Sequence, residues 1–442
     1  MFLRLILCFL YISSAGAAVT EEGFFVWDST GESLKILNQH KEISIDHRTK
    51  EGFEAYGPKG LGKYLKLLKL DHDVLAEMHE DNKNLGGYPT PEEIEKQLKD
   101  LVKDHDSFVK MFSIGQSHEG RELWALKFSD NVELDEVEPE VKFIANMHGN
   151  EIVGRELMVR LVDELITRYK NGDQTITELI NNSEVYIIPS MNPDGAAAKR
   201  RGNARWSDLN RDFPDFTTTD NTNDIEGREP ETKAIMLFQA KRKFALSANF
   251  HGGSVVVNYP WDTHAEDAPL TDLIIDLSKE YASFNEPMRN SSRFQDGIVN
   301  GYRWYHVDGG MQDWSYYWYN DLQVTIELSD HKWPNYSEIP QFYEENRESL
   351  VQYLSRIHQG AGFYFPDLPK TKGKVEIKKL KSFDNEKETA LGSYPFSGGE
   401  FYKVLPLGKY QFKITLNDGT VHKMISVVDF NNTKVNGNFQ AL

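Results

Sequence analysis

His148 and Glu151 stand three apart in the stretch Met147-His148-Gly149-Asn150-Glu151. That spacing lets an imidazole nitrogen and a carboxylate aim at one metal ion. Hydrolytic zinc often takes two His and one Glu and leaves a fourth position for water. His251, held by Gly252-Gly253, follows a hundred residues after Glu151. It is either the distant third ligand of such a site or a satisfied core histidine. Glu327 lies in the apolar context Val324-Thr325-Ile326-Glu327-Leu328. A carboxylate there must be paired, bind metal or do chemistry. Beside a zinc-activated water, a Glu takes the proton as the water attacks and hands it to a leaving amine. Arg201, Asn210 and Arg211 share the polar loop 199–212. Guanidinium groups there can bind a carboxylate bidentately and stabilise an oxyanion, or the loop is simply solvated.

These residues need elements to hold them. Val141 to Met147 is an apolar run broken only by Lys142 and Asn146, which predicts a buried strand of a parallel sheet. Ile152, Val153, Leu157, Met158, Val159, Leu161 and Val162 then recur at helical spacing up to Tyr169. His148 and Glu151 therefore sit just past the carboxyl end of a strand, where open α/β sheets place ligands. Further strands are predicted at 184–189, 245–250 and 322–328, with helices at 230–244, 271–282 and 340–358. Thr90 and Glu93 form a capping box ahead of another helix, with Pro91 in its first turn. The alternation predicts a mixed α/β domain over residues 86–365 with helices on both faces. Beyond Phe365-Pro366-Asp367-Leu368-Pro369, short alternating strands and the hairpin signal Asp418-Gly419 predict a small all-β sandwich over 370–442. It carries no concentration of metal-ligating residues, and its role is structural or one of binding.

The length of 442 residues accommodates two to three domains. A net charge of −18 argues against general nucleic-acid binding. That charge either attracts cationic substrates weakly or serves solubility alone. Residues 1–17 combine a lone Arg4, an apolar run and Ala15-Gly16-Ala17, the pattern of a secretory signal peptide, too short to span a bilayer. The single cysteine, Cys8, lies inside it. Export without disulfides fits a secreted or periplasmic enzyme. Residues 18–85 are charged, with a helix expected near 60–70 and no obvious chemistry. They are either a pro-segment shielding the site or an extension packed on the body.

The motifs HGNEIVGREL (148–157), SMNPDGA (190–196), DLNRDFPD (208–215), SANFHGG (247–253), NYPWD (258–262), WYHVDGGMQDW (304–314) and TIELS (325–329) follow one another in order. The chain thereby resembles zinc metallocarboxypeptidases of the funnelin type, in the carboxypeptidase N/E (regulatory) subgroup. The resemblance covers about 88–365, and the β tail resembles that subgroup's transthyretin-like domain. It departs from animal members in lacking their cysteines and in its longer segment 18–85.

The resemblance implies one Zn2+ held by His148, Glu151 and His251, with Glu327 as general base and later acid. Arg201, seven residues before Asp208, would polarise the scissile carbonyl. Asn210 and Arg211 would clamp the terminal carboxylate, and Tyr305 would close over the substrate. Asp262 and Gln312 would line the pocket for the departing side chain, and an acidic Asp262 favours Lys or Arg. The implied substrates are peptides or proteins with a free C-terminus, cut by a monomer without a stable membrane span. Cell-wall peptides are an alternative substrate, and a catalytically dead peptide-binding homologue an alternative function.

Overall fold

Side chains along the central strand Glu140–Ala145 alternate between two cores. Val141, Phe143 and Ala145 point into one apolar cluster, whereas Ile144 joins a second with Met147. The neighbouring strand Glu184–Ile188 divides in the same way, Val185 and Ile187 against Tyr186 and Ile188. A period of two with apolar residues on both faces requires cover on both. The helices Val153–Lys170 and Ile339–Ser355 supply it on the first side. Pro230–Gln239 and Met311–Tyr319 supply it on the second.

The computed structural model describes residues 21–75, 86–381, 387–429 and 439–442. The expected leader 1–17 lies outside them, as does the stretch 76–85. Among the described residues the main sheet has eight strands. At its centre Leu322–Ser329, Phe244–His251, Glu140–Ala145 and Glu184–Ile188 run parallel in that spatial order, and antiparallel strands flank them. The mixed sheet with helices on both faces agrees with the sequence-based expectation. The predicted helix 230–244 stops at Gln239, because Phe244 is already the first residue of the next strand.

Two β units flank this domain. Residues 21–75 fold as strand, helix, strand, strand, helix, strand, with the antiparallel order Ser44–Asp46, Gly52–Pro58, Glu21–Trp27, His72–Val74. This N-terminal module has its own core of Phe24, Val26, Leu37, Phe53, Ala55, Leu61 and Leu65. The C-terminal unit holds a four-stranded antiparallel sheet and a three-stranded sheet. The latter is built around Gly360–Tyr364, which pairs with Glu400–Val404 and Phe439–Ala441. The sandwich thus takes a strand from before the expected break at 365. Ala361 and Phe363 point into its core, as every second residue of a strand must. Among the described residues no helix is long and apolar enough to cross a membrane.

Candidate active site

Three adjacent parallel strands bring the ligand candidates to one end of the sheet. Asn146, just past the strand Glu140–Ala145, adopts φ +57°. Its side-chain amide donates to the carbonyls of His148, Gly149 and Glu151 at 2.9, 3.3 and 3.3 Å. One asparagine thus folds the turn that carries two candidate ligands, a left-handed position that Asn tolerates. His251 ends the next strand, and Glu327 is its register partner one strand further. Paired residues on neighbouring strands share a face, so His251 and Glu327 lie on the same side.

The donor atoms converge. Nδ1 of His148 and Nδ1 of His251 lie 3.0 Å apart, and each faces Glu151 Oε2, at 3.0 and 2.8 Å. All three residues are buried. Nε2 of His148 faces Asp208 Oδ1 at 2.9 Å, which fixes the tautomer that leaves Nδ1 free to ligate. Two imidazole lone pairs aimed at one carboxylate oxygen suit a divalent cation, and two His with one Glu suit hydrolytic zinc. Burial would raise the Glu151 carboxyl, but the two imidazoles hold it well below the usual carboxylate range. Glu327 is pushed the other way, by burial and then by the carboxylates of Glu151 and Asp46. Its Oε2 has no hydrogen-bond partner among the described residues.

Of Arg200, Arg201 and Arg205, only Arg201 reaches the candidate ligands. Its Nη1 donates to Glu151 Oε1 at 3.0 Å and its Nε to Asp208 Oδ2 at 3.1 Å. Arg200 stacks on Trp206 instead, and Arg205 is exposed. Arg211 donates to the carbonyl of Asn210, and Asn210 Oδ1 accepts from the Met311 backbone at 3.0 Å. Asp262 is buried, and its Oδ1 accepts from Asn258 and Gln312, both at 3.0 Å. Burial raises its carboxyl to about 6. A Cβ on Gly301 would come within 1.7 Å of Asp262 Oδ1, so only glycine fits beside it. The structure therefore gathers all ten singled-out residues, Tyr305 included, into one region at the carboxyl ends of the central strands.

Four further residues belong to this region. Asp208 orients both His148 and Arg201. Asp313 accepts from the backbones of Asp262 and Thr263 at 2.8 and 2.9 Å and so fixes the pocket floor. Both stand inside quoted motifs, and that position was their only signal. Lys332 and Asp46 had none. Lys332 Nζ contacts Asp46 Oδ2 at 3.0 Å and Tyr56 at 2.7 Å. Asp46 belongs to the N-terminal module, which the sequence had left without obvious chemistry. The structure corrects that: Asp46 binds Arg201 Nη1 at 2.7 Å and the Tyr305 hydroxyl at 3.2 Å.

Comparison with known proteins agrees with this geometry. A family profile described as zinc carboxypeptidase matches residues 94–349. Human carboxypeptidase D is 36% identical over 341 residues, covering 71% of this chain and 24% of that protein. The human carboxypeptidase N catalytic chain is 37% identical over 313 residues, covering 61% and 68%. The chain thus spans about a quarter of the first relative's length and two thirds of the second's. A carboxypeptidase A from Helicoverpa armigera shares the fold at 18% identity and TM-score 0.57, over 77% of this chain and 98% of that one. As the resemblance to the N/E subgroup implied, the chain belongs to the zinc carboxypeptidase family.

Proposed function

We propose that this protein is an exported zinc exopeptidase that removes the C-terminal residue of peptides, with preference for Lys or Arg. One observation carries the reading. The His148, Glu151 and His251 ligand atoms converge directly against Arg201, while Glu327 stands register-opposite His251.

Zinc held there would supply Lewis acidity to a water molecule and to the scissile carbonyl. Glu327 takes the proton of the attacking water and delivers it to the leaving nitrogen, so water adds across the C–N bond. Arg201, locked by Glu151 and Asp208, bears the charge that develops on the carbonyl oxygen; a fixed donor needs no reorganisation during reaction. Arg211 and Asn210 hold the free carboxylate, which restricts cleavage to the last residue. Tyr305 covers the bound end. Asp262, with Gln312 beside it, pairs with a cationic side chain. An apolar side chain would leave that carboxylate buried and unpaired.

The leader expected at 1–17 supports export, and the buried carboxylate of Asp262 beside Gln312 supports basic specificity. The sandwich of residues 360–442, minus its undescribed stretches, serves as a structural support that acts alongside a monomeric catalytic domain. Incubating the zinc-loaded protein with peptides that differ only in a terminal Arg, Leu or Glu tests the reading. Arg should leave fastest; preferential release of Leu removes Asp262 from its role.

A further inference from the structure

The C-terminal sandwich is basic in a chain that is otherwise acidic. Residues 360–442 hold twelve lysines, no arginine and eight acidic residues, a formal charge of +4. The whole chain carries −18, so residues 1–359 carry −22. Much of the positive charge lies on one face. In the four-stranded sheet the strands Gly373–Lys379, Gly408–Leu416 and Val421–Val428 lie side by side. Every second residue enters the sandwich core, as Val375, Phe412 and Met424 do, and the others point outward. The two inner strands thereby present Lys374, Lys378, Lys409 and Lys413. The edge strand presents Val421, Lys423, Ile425 and Val427, and its three apolar side chains are 45–49% exposed.

Two features of this face call for a partner. Lys413 and Lys423 are register partners, and like charges directly opposite each other cost stability. Glu376, which pairs with Lys413 at 2.7 Å, is the one acidic residue that these three strands present outward. The second feature is the apolar side chains that recur along an exposed edge strand. Such an edge invites association unless it is covered.

We propose that this face docks on an anionic phospholipid membrane surface. Val421, Ile425 and Val427 enter the boundary of the acyl chains, and the lysines reach the phosphates while their stems lie along apolar surface. Each lysine near such a surface strengthens attachment about fivefold. The rest of the chain, at −22, is repelled by the same surface, so contact through the sandwich orients the molecule. A second copy of the chain fits less well, because a two-fold interface sets this patch against itself, lysine against lysine. A sulfated polysaccharide would satisfy the lysines and leave the apolar side chains in water. The attachment goes beyond the supporting role of the sandwich and is independent of the proposed peptidase activity.

The test sediments the zinc-loaded full chain with vesicles of phosphatidylcholine, alone or mixed with phosphatidylserine. The parent should bind the mixed vesicles and not the neutral ones, and added salt should weaken the binding. Lys409→Gln combined with Lys423→Gln should weaken it about 30-fold. Val421→Ser combined with Ile425→Ser should weaken it at low and high salt alike. All four side chains are exposed, so melting temperature and peptide hydrolysis in solution should match the parent in both double variants. No binding to the mixed vesicles, or binding unchanged in either double variant, overturns the proposal. If only the apolar variant is unchanged and the parent is retained on immobilised heparin, the face reads polyanions by charge alone. A dimer in sedimentation velocity that both double variants break assigns the face to self-association and overturns the proposal likewise.

Discussion

Lys332 and Lys403 are both buried lysines, and each stands where the catalytic domain meets one of its β units. They are stabilised by opposite means. Lys332 meets the N-terminal module through the carboxylates of Asp46 and Glu54 and the Tyr56 hydroxyl. Lys403 lies between the Tyr316 and Tyr394 rings, 5.6 and 4.5 Å from their centroids. Its ammonium has no hydrogen-bond partner among the described residues, and burial pulls its pKa down to about 7. The first junction is a set of ion pairs, whose attraction roughly balances the cost of stripping water from the charges. The second carries the ion pair of Lys243 with Glu400 but also shares the strand Gly360–Tyr364, so separating it would expose a core. The first junction is held mainly by charges the two units share, the second mainly by a strand and the core beneath it.

Substitutions at the cleft should therefore change activity more than melting, and substitutions at the sandwich the reverse. Chelating the metal should abolish peptide hydrolysis entirely, and added zinc should restore it; activity surviving chelator would detach the cleft from metal chemistry. Glu327→Gln should lower kcat by about 10²–10⁴-fold while one zinc per chain is retained. Elemental analysis alongside steady-state rates separates that outcome from loss of the metal.

On the sandwich side, Phe363 is fully buried and packs edge-on against Phe396 and stacked with Phe401. Phe363→Ala should destabilise by about 3–5 kcal/mol, read as a lower melting temperature, with the specific activity of the folded protein unchanged. A fall in that activity before unfolding would mean the sandwich shapes the site after all.

The two smallest effects are pH-dependent. Lys403 is neutral in the fold above about pH 7, whereas the unfolded chain keeps it protonated to about pH 10. The unfolded state then binds more protons, so this residue makes stability rise with pH across that window. Lys403→Met should flatten the dependence. Asp262, raised to about 6, should bind cationic side chains only when ionised. The advantage of Arg over Leu substrates in kcat/KM should therefore fall as pH drops through about 6, and Asp262→Asn should remove that pH dependence.

What could be read from the sequence was what neighbours in the chain dictate. The strand at 141–147, the turn with His148 and Glu151 and the helix after it follow from local periodicity and turn chemistry. Glu327 declared itself by being charged among apolar neighbours. Two things were decided only by the tertiary fold: where the strand Gly360–Tyr364 pairs, and what lies against Arg201 in the cleft. Asp46 meets Arg201 from 155 positions away and Lys332 from 286. A surface-looking Ser-Ile-Asp has no periodic or motif signal. Burial next to two cations gives it meaning, and burial is a property of the folded chain.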